Sequence, residues 1–141
     1  MSSSQILATT LSDVKAAEDE GQYELAFQRL SPFWDSFSQF PNAVGLSDVE
    51  TAELFLRCGG LIGFLGYTQK ISNSQEISKN LLSQARQSFV SLSCTDKAAE
   101  CENYLALAYS RTGEYTEAFD WLSEAYSRQL PAHHPVRIHS H

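Results

Sequence analysis

Gly113-Glu114-Tyr115-Thr116-Glu117-Ala118-Phe119-Asp120-Trp121-Leu122 repeats, at identical offsets, the Gly, Tyr, Ala, Phe and Leu of Gly21-Gln22-Tyr23-Glu24-Leu25-Ala26-Phe27-Gln28-Arg29-Leu30. Shared residue types at fixed offsets near both ends of one chain mark an internal repeat. Each type has a physical task at its place. Glycine takes the left-handed backbone conformation that ends one helix and turns the chain tightly into the next. Tyrosine packs over the turn, alanine lets two helix backbones approach, and phenylalanine and leucine fill the space between helices. The frame reads as a helix hairpin, present twice.

Outward from these frames, apolar residues recur at helical spacing and strand-like alternation is nearly absent, which predicts an all-α chain. Ile6, Leu7, Leu11, Val14 and Ala17 form one stripe of a first helix from about Ser4 to Glu20. A second helix is expected from Tyr23 to about Phe37, bent at Pro32, which removes a backbone donor. Phe40 to Leu46 reads as a loop. Ser47, with Glu50 three residues on, forms a capping box that starts a third helix running to about Gly66. The polar stretch 67–74 leads into a fourth helix, begun at Ser74 or Ser78 and carried to Leu92 by Ile77, Leu81, Leu82, Ala85 and Phe89. Thr95 and Asp96 open a fifth to Arg111 or Thr112, Gly113 caps it, and a sixth spans Tyr115 to about Arg128, before Pro131.

Ahead of the second glycine frame stands Tyr104-Leu105-Ala106-Leu107-Ala108-Tyr109. With it, the last segment resembles the tetratricopeptide repeat family, through Leu105, Ala106, Tyr109, Gly113, Tyr115, Ala118, Leu122 and Ala125. The first segment resembles the family through Gly21, Tyr23, Ala26 and Leu30, with Val14 and Ala17 standing where the pattern has a small residue and a tyrosine. The middle unit, with Leu54, Leu56, Leu61, Ile62, Phe64 and Leu65 on its first helix, is assigned by position. The resemblance implies an α-α superhelix of about three hairpins, six helices in all, with an irregular middle repeat. Residues 1–141 then form a single domain: repeat 1 over about 4–40, repeat 2 over about 47–92, repeat 3 over about 95–130, and 131–141 either a tail or the start of a further helix. The turn glycines stand 92 residues apart, where two repeats of about 34 residues give about 68, so long connections are expected at 38–47 and 67–75.

The chain has 141 residues, 43% of them hydrophobic, which is enough apolar content for one domain with a core. Its formal charge is −7. Phosphate backbones are gripped by clustered Lys and Arg, so this balance argues against a nucleic-acid partner. The deficit lies in residues 1–53, which hold 9 acidic and 2 basic side chains, while the remainder holds 8 of each. Cys58, Cys94 and Cys101 are odd in number and lack CxxC spacing, which fits a reducing, cytoplasmic compartment. No basic residue precedes Lys15 and no long apolar run follows the start, so no secretory leader is expected. The charge-free stretch Cys58–Gln69 falls short of the ~20 residues that span a bilayer, so no membrane partner is expected either.

Histidine restricts the chemistry. His133, His134, His139 and His141 all follow Pro131, so a catalytic histidine or a two-His metal site would have to be built from that end of the chain. Neither metal nor cofactor is expected. Gly59, Gly60, Gly63 and Gly66 lack the Lys-Ser/Thr of a phosphate loop and predict close helix packing. Cys58 and Cys101 read as small core residues, and Cys94 as the more exposed thiol. Glu50 with Glu53, or Glu100 with Glu102, are the carboxylate pairs an enzyme could use, but with every histidine beyond Pro131 catalysis is the least favoured reading.

In tetratricopeptide arrays, partner segments lie along the concave face made by successive first helices. The resemblance therefore implies a non-catalytic protein-binding module. Its groove would run through Leu11, Lys15, Glu18 and Asp19 in the first repeat and Asn103, Leu107, Ser110 and Arg111 in the last. Glu18-Asp19-Glu20 closes a helix, where the macrodipole disfavours each acid by about 0.3–1 kcal/mol. Such a run is either a solvated face or an acidic patch for a protein or peptide with a basic segment. A carboxylate clamp of the chaperone type is not implied, since only Lys15, Asn103 and Arg111 have suitable chemistry. On the sixth helix Ala118, Leu122 and Ala125 are expected to face the hairpin partner, while Phe119 and Tyr126, with Trp121 nearby, form a second stripe that needs a cover. Two covers are open: residues 132–141, or a second copy that makes a homodimer through the C-terminal helix. A different class of function also stays open, a sensor domain of a larger signalling or transcription protein that binds a small ligand in a closed apolar pocket.

Overall fold

Ser2 and Ser47 begin helices by the same device. Ser2 Oγ accepts from the Gln5 N–H at 3.2 Å while Gln5 Oε1 accepts from the Ser2 N–H at 2.9 Å. Ser47 and Glu50 make the same reciprocal pair at 3.3 and 2.9 Å, the capping box expected from the sequence. These boxes start α1 (Ser3–Asp19) and α3 (Asp48–Thr68). The computed structural model describes residues 1–129, in which α2 (Tyr23–Arg29), α4 (Ser74–Ser91), α5 (Thr95–Arg111) and α6 (Tyr115–Arg128) complete an all-α chain with no strand among the described residues. Gly21 and Gly113 turn α1 into α2 and α5 into α6 at φ of 73° and 77°. Open space surrounds both glycines, so backbone conformation and not room demands them.

The hairpins α1–α2, α3–α4 and α5–α6 stack in chain order, because α2 also meets α3 and α4 also meets α5. In addition α3 touches both α1 and α5, so the three first helices share one face. Val14, Ala26, Leu30, Leu54, Leu56, Ile62, Leu81, Leu82, Phe89 and Leu105 are fully buried between these layers. The α3 glycines pack closely, as their spacing predicts. A Cβ at Gly59 would come within 2.7 Å of Leu82, one at Gly60 within 3.1 Å of Tyr104 and one at Gly63 within 2.9 Å of Ser78, and one at Gly66 would collide with Ser74. That closeness lets Ser78 Oγ and Gln75 Nε2 donate to the Gly59 and Gly63 carbonyls at 2.7 and 2.9 Å, using their second lone pairs.

Three details differ from the sequence pattern. First, α2 ends at Arg29, and no bent helix continues through Pro32 to Phe37. The Phe33 and Trp34 N–H groups both donate to the Leu30 carbonyl, at 2.9 and 2.8 Å, in a turn that the proline occupies. The chain beyond is fixed by aromatic packing: Trp34 lies 5.4 Å from Phe27 and 5.3 Å from Phe37 between ring centroids, and its Nε1 donates to the Gln39 carbonyl at 2.7 Å. Second, α3 continues to Thr68, so the expected loop at 67–75 shrinks to 69–73 and part of the extra length lies in helices of 21 and 18 residues.

Third, Leu122 does not face the hairpin partner; it is 51% exposed, on one outer stripe with Tyr115 (69%), Phe119 (69%) and Tyr126 (58%). Tyr115 accordingly does not cover its turn. Ala118 and Ala125 do face inward. Trp121, stacked under Arg86 at 4.8 Å, and Arg128, bonded to Glu102, take the other edge of that alanine face and rotate Leu122 outward.

Cys58 and Cys101 are fully buried and Cys94 is partly exposed, as expected. Burial pushes both buried thiols up, Cys101 to about 12. Thiol labelling of the native protein near pH 8 is therefore expected to modify Cys94 alone, with Cys58 and Cys101 reacting only after denaturation; fast reaction of all three would contradict this packing. No helix among the described residues is long and apolar enough to cross a membrane. The reading of 131–141 as a tail or further helix, and the four histidines, fall outside the described residues.

Candidate functional site

Because α1, α3 and α5 lie side by side, residues at helical spacing on each are brought to one place. Leu11, Lys15, Glu18 and Asp19 come from α1, Glu53 and Arg57 from α3, and Lys97, Glu100 and Tyr104 from α5. With Tyr23 they line an open cleft of about 550 Å³. Gly60 permits its floor, since the Tyr104 ring lies against that glycine where a side chain would stand.

Ion pairs organise the cleft. Arg57 bonds Glu100 across from α3 to α5, Lys15 bonds Asp19 at 3.1 Å within α1, and Lys97 stands 3.9 Å from Glu100. Burial works against the charged Arg57 guanidinium, but the Glu100 carboxylate more than offsets it and holds its pKa above the ordinary value. Burial raises the Tyr104 phenol, and the nearby Glu100 acts in the same direction. Glu18 and Glu53 make no ion pair among the described residues. Glu18 is half-buried, and desolvation, helped by Asp19 and Glu100, lifts its carboxyl against the opposing pull of Arg57 and Lys15.

An apolar ledge adjoins the cleft. The Tyr23 ring meets Phe64 at 4.4 Å, and both line a second depression with Gly21, Leu65, Thr68 and Gln69. Tyr23 belongs to both concavities, so charged and apolar surfaces are continuous there.

No family model, no curated protein and no solved structure matches the chain. The residues themselves therefore carry any functional reading.

Of the groove residues anticipated from the sequence, Leu11, Lys15, Glu18 and Asp19 all enter the cleft. Asn103, Leu107 and Ser110 are exposed on α5 but do not line it. Arg111 is half-buried, with its guanidinium 5.6 Å from the Tyr67 ring and 3.4 Å from Gln75. Glu53, Arg57, Lys97, Glu100 and Tyr104 are the additions. Spacing held the clue to those on α5: 97, 100 and 104 follow the three- and four-residue rhythm of one helix face.

The two carboxylate pairs divide into separate tasks. Glu50 is committed to the α3 cap, whose Ser47 backbone hydrogen bond holds its carboxyl below the ordinary value, whereas Glu53 lines the cleft. Glu100 pairs with Arg57, whereas Glu102 is fully buried between Arg86 and Arg128 at 2.7 and 2.8 Å. Farther along the stack, Lys79 Nζ reaches Glu76, Glu114 and Thr112 at 2.8, 2.6 and 3.1 Å and lies 4.3 Å from the Tyr109 ring, tying the α5–α6 turn to α4.

Proposed function

We propose that this chain is a non-catalytic, tetratricopeptide-like module of the cytoplasm that holds a protein or peptide segment in the cleft of α1, α3 and α5. The observation that carries this reading is an open concavity lined by four acids, Glu18, Asp19, Glu53 and Glu100, against three cations, Lys15, Arg57 and Lys97, in which Glu18 and Glu53 make no ion pair among the described residues. A Lys or Arg of the bound segment would pair with these acids, and an apolar neighbour would lie on the Tyr23–Phe64 ledge. Binding proceeds on a preformed surface, with no bond made or broken. The cleft's mainly charged lining and its openness favour this over a small-ligand sensor, which needs an enclosed apolar pocket. The acidic balance favours protein over nucleic acid or an anionic membrane surface as partner.

The test is a displayed library of random peptides about twelve residues long, captured on the full chain. Enrichment of peptides with a basic residue next to an apolar one is expected, and Glu18→Lys or Glu53→Lys should weaken the captured peptides at least about tenfold. Affinity should also fall as the pH is lowered through the raised titration of Glu18, because the protonated carboxyl cannot pair with a cation. Lys15, Asp19, Arg57 and Glu100 face Glu18, and its raised carboxyl takes up a proton earlier on acidification than an ordinary glutamate does. Capture that ignores both substitutions and pH removes the cleft as the binding site.

A further inference from the structure

The offset that relates the two glycine frames also relates the outer faces of α2 and α6: Tyr115, Phe119, Leu122 and Tyr126 stand where the first copy has Tyr23, Phe27, Leu30 and Trp34. In the first copy this face is covered. Leu30 and Trp34 are 0% and 2% exposed, Phe27 packs on Phe37 at 4.2 Å, and Tyr23 packs on Phe64 of α3. In the last copy all four side chains are more than half exposed. The same surface is thus built twice and closed once among the described residues. At the same offset the sequence counterparts of Phe37 and Phe40 are Gln129 and Ala132, neither of them aromatic.

We propose that a second copy of this chain covers that face, through a two-fold, antiparallel pairing of α6 helices. The four positions follow a 4-3-4 spacing, the seam of a helix pair. On its exposed edge the stripe is flanked by Thr116 and Ser123, neither charged, on its other edge Ala118 and Ala125 turn inward to the hairpin, and Glu117, Asp120 and Glu124 lie on the opposite side of the helix. A surface with no charge offers nothing to a charged partner and does not repel its own copy. An antiparallel axis between 119 and 122 sets Phe119 against Leu122, and Tyr115 against Tyr126, so the stripe is complementary to itself. The net charge of −7 lies in residues 1–53, at the far end of the stack, so this end-to-end contact keeps the acidic parts of two copies apart.

The exposed portions of the four side chains amount to roughly 450 Å², at about 200 Å² for a whole side chain, the size of patch that marks an interaction site. Two copies would bury about 900 Å² plus the flanks, the size of a weak, reversible interface. The α1–α3–α5 cleft contains no α6 residue, so the dimer leaves both clefts open and makes the assembly bivalent.

Sedimentation equilibrium of the full chain from about 1 µM to about 1 mM tests this. The wild type is expected to show a monomer–dimer equilibrium that higher salt does not weaken. Phe119→Glu and Leu122→Glu, both at exposed positions and checked for unchanged helicity, should each raise the Kd at least tenfold, about 1.4 kcal/mol, while Glu18→Lys leaves it unchanged. A wild type monomeric over the whole range overturns the proposal and assigns the cover to residues 130–141 or to another protein. A dimer indifferent to both α6 substitutions, or one that dissolves in salt, overturns it as well.

Discussion

Glu102→Ala is expected to destabilise the fold by about 3–5 kcal/mol, read as a fall of roughly 10 °C or more in Tm. Glu102 is the one fully buried carboxylate among the described residues, and three helices meet on it. From α4 the Arg86 Nε donates at 2.7 Å, and from α6 the Arg128 Nε donates at 2.8 and 2.9 Å to the two carboxylate oxygens. Glu124 stands 3.9 Å from Arg86 and 3.7 Å from Arg128, and the Arg86 guanidinium also covers the Trp121 ring. Removing the central carboxylate takes the close charge-assisted hydrogen bonds from two partly buried guanidiniums and leaves Glu124, at its longer distances, as the acid near both. The cost is that of weakening two buried ion pairs at once, not of one lost attraction. Glu102→Gln keeps the shape and one acceptor and should cost less than the alanine variant. A loss below about 1 kcal/mol for Glu102→Ala would mean that water reaches both guanidiniums.

How this network escapes the sequence is instructive. Beside Glu100, Glu102 suggests a carboxylate pair, because adjacency along the chain is easy to see and rotation about a helix is not. The two residues are separated by about 200° of helical turn. One therefore faces the cleft while the other faces α4 and α6. The same angular problem explains the groove. Asn103 and Tyr104 differ by about 100°, and with no partner helix to fix the rotation of α5, a face through 103, 107 and 110 is as plausible as one through 97, 100 and 104. On α1 the stripe of Leu7, Val14 and Ala17 fixes the rotation of the helix, and Leu11, Lys15, Glu18 and Asp19 follow one edge of that stripe, the edge that lies in the cleft. The middle helix has apolar residues nearly all round, because α4 and α5 both pack on it, and no stripe singles out Arg57 or Glu53.

Features set by local chemistry were the legible ones. Two glycines in left-handed turns, a Ser–Glu capping box and a run of small residues on α3 each act within a few residues of chain or at one contact. The length of α2 was not legible, because its apolar rhythm continues past Pro32 into residues that bury themselves as a turn and an aromatic cluster instead.

Gly66→Ala should destabilise the fold by about 2 kcal/mol net, although alanine is the better helix former by ~1 kcal/mol. The new methyl would collide with Ser74 Cβ and Oγ at the start of α4, and its distance to Ser74 Cα is 3.5 Å. A Cβ is fixed to the backbone, so the first turn of α4 must move, which a flexible side-chain end would not require. That turn has little freedom. The Ile71 N–H donates to the Gly66 carbonyl at 2.8 Å, and Lys70 and Asn73 hold φ of 55° and 64° to bring the chain round. The turn also sets Gln75 and Ser78 on the α3 carbonyls, so displacement there propagates along the α3–α4 contact. Chemical denaturation of Gly66→Ala, Ser74→Gly and the double variant forms a cycle that isolates the clash. Ser74→Gly alone costs about 1 kcal/mol at a helix start, yet in the Gly66→Ala background it should recover stability. A double variant weaker than Gly66→Ala by the full cost of Ser74→Gly would show that the two side chains do not compete for this space.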